Sequence, residues 1–275
     1  MLEVAHRWLH IPYALHIHTN QKPSNPRATV LFLHGIGNSG AAWDEVVAKL
    51  PNDLHIISID LLGFGNSPRP SWAVYDAKTQ ARSVLATFFK LRMTGPVILA
   101  GHSLGALVAV EIARRYPLLV KSLVLFSPPF YRNDVKGRRP TLNSDILRRD
   151  LYKLVKKRPD QLIQITSLGL KLGLLNKAFN LTNKDTEVYM NAFEASILNQ
   201  TSLRDAALLP NTPIHILYGR FDPVVVPSNL RYLAKQNPHV TITPVFASHE
   251  IIGPFAGEAV KAVNKATETT VIKHL

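Results

Sequence analysis

Between Pro96 and Ala113 the chain passes from a short apolar run, Pro96-Val-Ile-Leu-Ala100, through Gly101-His102-Ser103-Leu104-Gly105 into a helical pattern, Ala106-Leu-Val-Ala-Val-Glu-Ile-Ala113. A continuous apolar strand followed at once by an apolar helix belongs in a sheet covered on both faces. The turn between them forces Ser103 into a strained backbone conformation. Small residues at 101 and 105 let strand and helix pass closely. The serine oxygen then stands above the sheet, and the free N–H groups of the helix start point at whatever it attacks. The same pentapeptide also suits an ordinary glycine-flanked β–α turn, so the remaining segments carry the decision.

Three of them point the same way. Val30-Leu-Phe-Leu33 runs into His34-Gly35-Ile36-Gly37-Asn38, a glycine-rich loop able to present backbone N–H groups to an oxyanion. The amides of Ile36 and Leu104 are the expected donors, each worth about 3–4 kcal/mol of transition-state stabilisation. His34 reads as a histidine packed beneath the turn. Next, Ile214-His-Ile-Leu-Tyr-Gly219 ends in a loop carrying Asp222. A carboxylate there can orient an imidazole, although a loop Asp also commonly caps a turn. Asp205, in a helical pattern before Pro210, is the weaker alternative. Last, Val240-Thr-Ile-Thr-Pro-Val-Phe246 is followed by Ala247-Ser248-His249. Of eleven histidines, only His249 combines this chain order with a place just past a strand. His6, His16, His18, His55 and His239 read as surface or packing residues, and His102 as a group that shapes the elbow.

Further strands are expected at 3–9, 12–19, 54–59 and 122–127, with 3–9 and 12–19 paired around Ile11-Pro12. Helical patterns lie at about 39–49, 76–92, 104–115 and 254–266, the crossover positions of a mostly parallel sheet. The alternation stops after Ser127-Pro128-Pro129 and resumes after Leu209-Pro210. Residues 129–209 therefore read as a helical cap inserted into a core made of 1–128 and 210–275.

The order Ser103, Asp222, His249 is that of the α/β-hydrolases, and the chain resembles their cap-bearing, esterase-like branch over nearly its whole length. Asp60-Leu-Leu-Gly63-Phe-Gly65-Asn-Ser67 adds to the resemblance; in relatives that aspartate is mainly structural. The resemblance implies an α/β-hydrolase fold, with a mostly parallel eight-stranded sheet flanked by helices. It also implies a carboxylesterase-like serine hydrolase that forms an acyl-enzyme on Ser103, with His249 as base and Asp222 as its orienting acid, and needs no metal or organic cofactor. A serine at 103 speaks against the dehalogenase and epoxide hydrolase branches, whose nucleophile is Asp. Two alternatives stay open. One is carbon–carbon bond hydrolysis on the same triad, disfavoured because the loop reads Gly37-Asn38-Ser39 rather than Gly-Pro-Gly. The other is a receptor that keeps the triad but turns over little.

Gly35, His102, Phe130, Leu168, Leu172 and Phe193 are the candidates to line a substrate pocket beneath the cap. Between Tyr131 and Arg158 stand ten Lys or Arg against three acids, within a chain of net charge +13. Ser144 reads as the N-cap of a helix with Leu147, Leu151, Leu154 and Val155 on one face and Arg149, Lys153 and Lys156 on the other. Such a face either is simply solvated or attracts an anionic partner, an acidic carrier protein or an anionic lipid surface. Nucleic acid is not expected, because no aromatic stacking platform accompanies the basic residues. Zero cysteines exclude disulfides and thiolate sites. No apolar run reaches the ~18 residues of a membrane span, and the first residues lack a signal-peptide core, so a cytoplasmic location is expected.

Overall fold

The computed structural model describes residues 2–132, 159–182 and 185–268. Seven strands form one sheet: β1 (Ile17–Gln21), β2 (Ala28–Leu33), β3 (Leu54–Ile59), β4 (Val97–His102), β5 (Val120–Phe126), β6 (Ile214–Gly219) and β7 (Val240–Val245), in the order β1-β3-β2-β4-β5-β6-β7. All pairs are parallel except β1 with β3.

The strand period of two sorts the core into two layers. Leu31 and Leu33, Ile57 and Ile59, Val97 and Leu99, and Leu123 and Leu125 face one cluster. Helices α3 (Ala77–Lys90) and α4 (Leu104–Arg115) fill that side with Ala81, Val84, Phe88, Leu107 and Val110. Val30 and Phe32, Leu54 and Ile56, Ile98 and Ala100, and Val124 and Phe126 face the other cluster. There the short α2 (Asp44–Val47) and α9 (Pro254–Glu268) supply Val46, Phe255, Ala259 and Val263. A chain of rings runs through this second layer: Phe32 to Trp43 at 4.9 Å, Trp43 to Phe126 at 5.5 Å and Phe126 to Phe255 at 6.2 Å between centroids. Strands β3 and β4 are buried along their whole length, which is why they read as unbroken apolar runs.

The sheet has seven strands rather than the expected eight, because residues 3–9 are not a strand. Leu2–Trp8 forms helix α1, and β1 begins only at Ile17. Leu, Glu, Ala and Arg in that stretch favour a helix, and the ring of His6 stacks on Tyr13 at 3.7 Å, an attachment that needs no sheet edge. A helix not anticipated from the sequence, α8 (Pro227–Gln236), crosses between β6 and β7 with Leu230 and Leu233 buried.

Between β5 and β6 the described residues contain no strand. They form α5 (Pro159–Lys171), α6 (Thr186–Ala192) continued by a π-helical stretch at Phe193–Leu198, and α7 (Ser202–Ala207). This insert packs on loops at the carboxyl ends of the strands. Asn180 N–H donates to Gly37 O at 2.8 Å, and Ser196 Oγ donates to Tyr75 O at 2.7 Å; within the insert, Gln200 Nε2 donates to Pro129 O at 2.6 Å. The predicted basic helix, with Arg149, Lys153 and Lys156, lies outside the described residues.

Candidate active site

The strand order reverses between β2 and β4, and open α/β sheets place their sites at the strand carboxyl ends beside such a switch point. The loops bearing Ile36 and Ser103 leave from those two strands.

Ser103 joins β4 to α4 with φ 51° and ψ −113°, a left-handed conformation that costs a non-glycine residue about 1–3 kcal/mol. Its surroundings enforce the strain. Ser103 N–H donates to Phe126 O at 3.0 Å. A Cβ on Gly101 would sit 2.4 Å from Gly105 O, and one on Gly105 would sit 2.2 Å from Leu33 O. The two glycines of the motif are therefore required by the close crossing of α4 over β4 and β2, and the positive φ falls on the serine between them. Leu104 opens α4, so its N–H has no acceptor within the helix. Gly35 brings the neighbouring loop in: a Cβ there would lie 3.2 Å from Ser103 Cβ. Ile36 follows directly.

That loop is held by His34, which is fully buried. Its Nε2 accepts from Leu61 N–H at 2.8 Å, and its Nδ1 bonds Gly35 O at 2.7 Å. These partners define a neutral ring with the proton on Nδ1. Burial pushes its pKa down to about 4. The histidine of the His-Gly pair thus ties the loop after β2 to the loop after β3. Asp60 does similar work: its carboxylate accepts from Gly40 N–H and Asn66 N–H, both at 2.7 Å, and its carbonyl accepts from Ser67 Oγ at 2.6 Å.

Asp222 and His249 come together from loops after β6 and β7, with His249 Nδ1 2.8 Å from Asp222 Oδ2. The Asp222 side chain is wholly buried, while that of His249 keeps 20% of its surface open. The other carboxylate oxygen accepts from Val224 N–H at 2.8 Å and Val225 N–H at 3.2 Å. Burial alone would raise the Asp222 pKa, but the hydrogen bond and charge of His249, with the Val224 N–H, hold it below the ordinary carboxylate value. Burial alone would lower His249. The Asp222 hydrogen bond and charge, with the charge of Glu250, outweigh it and raise the imidazole above its usual value. An imidazole held through Nδ1 has its other nitrogen available to accept a proton from a hydroxyl.

His102 is buried, and its Nε2 donates to the backbone carbonyl of His249 at 3.0 Å. Its pKa is pushed down to about 4, first by burial and then by the neighbouring His249, so the ring is neutral. Asp205, the weaker acid candidate, takes a hydrogen bond from Thr201 Oγ at 2.6 Å and lies 3.9 Å from Arg114, engaged on α7.

The structure separates the expected lining residues: Gly35 and His102 lie beside Ser103, and the other four do not share one place. Leu168, on α5, and Leu172, just past its end, are exposed, at 57% and 62%. Phe130 is fully buried in the core, and Phe193 packs half-buried against the same cluster. A separate cavity of about 230 Å³ lies between the loops after β2 and β3 and the insert, walled by Asn38, Gly63, Asn66, Arg69, Asn180 and Tyr189 among others. None of the six predicted lining residues borders it, and neither do Ser103 and His249.

Sequence reasoning missed Glu250 and Tyr189. Glu250 is buried beside His249. Burial pushes the Tyr189 phenol up to about 12, and the Glu250 charge adds to the shift. Neither residue sits in a motif. The Val224 and Val225 clamp was readable, since an Asp accepting from the N–H two residues on is a common turn.

The sequence profile of the family described as alpha/beta hydrolase fold matches residues 28–252. A pimeloyl-[acyl-carrier protein] methyl ester esterase of Pseudoalteromonas atlantica is 30% identical over 229 residues, covering 80% of this chain and 86% of the relative. A probable lysophospholipase of Arabidopsis thaliana, BODYGUARD 4, is 32% identical over 114 residues, 41% of this chain; the match spans only 27% of that protein, and 36% of the related BODYGUARD 2. Among solved structures, the enol-lactonase from Burkholderia xenovorans superposes with a TM-score of 0.69 at 20% identity, covering 92% of this chain and 96% of the other. A thermophilic esterase from Thermogutta terrifontis gives 0.68 at 20% identity, covering 90% and 91%.

Proposed function

The chain belongs to the α/β-hydrolase fold family, and from that premise we propose that it is a serine hydrolase cleaving a carboxylic ester, thioester or lactone. The observation that carries this reading is the 2.8 Å contact of His249 Nδ1 with the buried Asp222 carboxylate, at the same carboxyl end of the sheet as the strained Ser103 elbow. In this reading His249 Nε2 takes the Ser103 hydroxyl proton as Oγ attacks the substrate carbonyl. Asp222 balances the imidazolium charge. The amides of Ile36 and Leu104 bind the oxyanion, and the imidazolium returns its proton to the leaving alcohol or thiol. Water, deprotonated by His249, then cleaves the acyl-enzyme and regenerates Ser103.

Residues 129–209 serve as a cap in this reading, supported by the bonds of Asn180 and Ser196 to core loops. The names of the ester-cleaving relatives favour an acyl substrate. The test is hydrolysis of p-nitrophenyl esters of graded acyl length by the native chain and by Ser103→Ala. Turnover lost in the variant supports the reading, and the preferred length sizes the acyl site. A folded chain that cleaves no ester would overturn it in favour of carbon–carbon hydrolysis or a binding role.

A further inference from the structure

We propose that the outward face of α5 is a docking surface for an anionic lipid bilayer. Ile165 and Leu168 on α5, and Leu172 directly after it, whose N–H still donates to Leu168 O at 3.0 Å, fall within about 60° of one another at 100° per residue, and each is 57–62% exposed. Leu174 continues the stripe just past the helix end, at 61%. The end is well formed: Gly173 takes φ 67°, its N–H donates to Leu170 O, and Leu174 N–H donates to Gly169 O. This double bond pattern closes a helix C-terminus. The exposed leucines therefore sit on an ordered scaffold.

The stripe is convex, with large side chains standing out from a helix instead of lining a groove. That shape suits insertion among acyl chains, where an interfacial helix buries its apolar face to about 5–10 Å. Exposed Lys171 and Lys177 flank the stripe. The whole chain carries a net charge of +13. This charge complements an anionic surface and not a zwitterionic one. No described helix is long and apolar enough to cross a membrane, so the association is peripheral. Because α5 belongs to the insert that packs on the loops after β2 and β3, docking would hold that end of the sheet beside the bilayer.

The test is flotation of the full chain with phosphatidylcholine vesicles, with and without phosphatidylglycerol, at low and high salt. The native chain and Ser103→Ala should both float with the anionic vesicles only, and salt should weaken the association. The double variant Leu168→Glu, Leu172→Glu should lose affinity on the order of a hundredfold, about tenfold per leucine, while its melting temperature and its turnover of a soluble short-chain ester match the native chain. Retention of Ser103→Ala separates this inference from the hydrolase reading. Equal flotation of the double variant, or no flotation of the native chain, would overturn it. So would a native dimer that the double variant abolishes, or binding to an acidic carrier protein without binding to vesicles.

Discussion

His102, the residue before Ser103, donates its Nε2 hydrogen to the backbone carbonyl of His249 at 3.0 Å. The bond ties the elbow to the loop that carries the proposed base, across 147 positions of sequence. Its donor is a neutral ring, since burial holds the His102 pKa near 4. The elbow thus fixes the place of the serine and also helps to fix that of the imidazole.

His102→Ala should therefore act on kcat more than on KM. A part-buried carbonyl left without its donor costs about 1 kcal/mol or more, and a misplaced imidazole should lower kcat about tenfold or more. His102→Gln, which keeps a side-chain N–H donor, should recover part of the loss. Steady-state kinetics on one soluble ester, with both variants, measures this; an equal loss in the two would show that the bond is not what matters.

The pH profile should show the opposed shifts of Asp222 and His249. His249 must be neutral to accept the Ser103 proton, and its pKa is raised above 6.5. Activity should therefore fall as pH drops through a value above that of free imidazole. Asp222→Asn removes the charge and hydrogen bond that raise it, so the limb should move to lower pH. The same change should cut kcat by about 10⁴, the size of effect seen when an orienting aspartate is replaced in a serine protease. A kcat/KM profile of both proteins from acid to neutral pH decides it.

Stability should fall in mild acid. His34 and His102 are neutral in the folded state with pKa values of about 4, against 6.5 for free imidazole. Between those values the unfolded chain binds protons that the folded chain refuses. Stability is thus fully present above pH 6.5 and lost as pH falls towards 4, by about 1.4 kcal/mol per pH unit for each group. Urea unfolding at stepped pH should show this slope, and His34→Gln, whose amide can both accept and donate, should make it shallower.

Relief of strain at the elbow should trade activity for stability. Ser103→Gly places at φ 51° the one residue that adopts it freely. Offset by the extra entropy of an unfolded glycine, the net gain should be about 1 kcal/mol. Ester turnover should vanish. Gly105→Ala should do the reverse, destabilising by at least ~2 kcal/mol because its Cβ meets Leu33 O at 2.2 Å. Urea midpoints of the two variants, compared with the native chain, measure both effects.

The αβ alternation from β2 to β5, the strand–turn–helix around Ser103 and the chain order Ser103, Asp222, His249 were legible in the order of residues alone. These follow from local causes: apolar runs that must be covered on both faces, glycines at a tight crossing, and loops placed after strands. Folding in three dimensions was needed to settle that residues 2–8 coil into α1, that α8 crosses between β6 and β7, that Leu168 and Leu172 face solvent, that His34 and His102 are neutral pins, and that Glu250 adds its charge to the His249 loop. An apolar residue on a helix reads the same whether it points at a core or away from it. The sense is set by what packs against the helix. A histidine's protonation and partner likewise depend on groups far away in sequence, here Leu61 for His34 and the His249 carbonyl for His102, which burial brings within hydrogen-bonding reach.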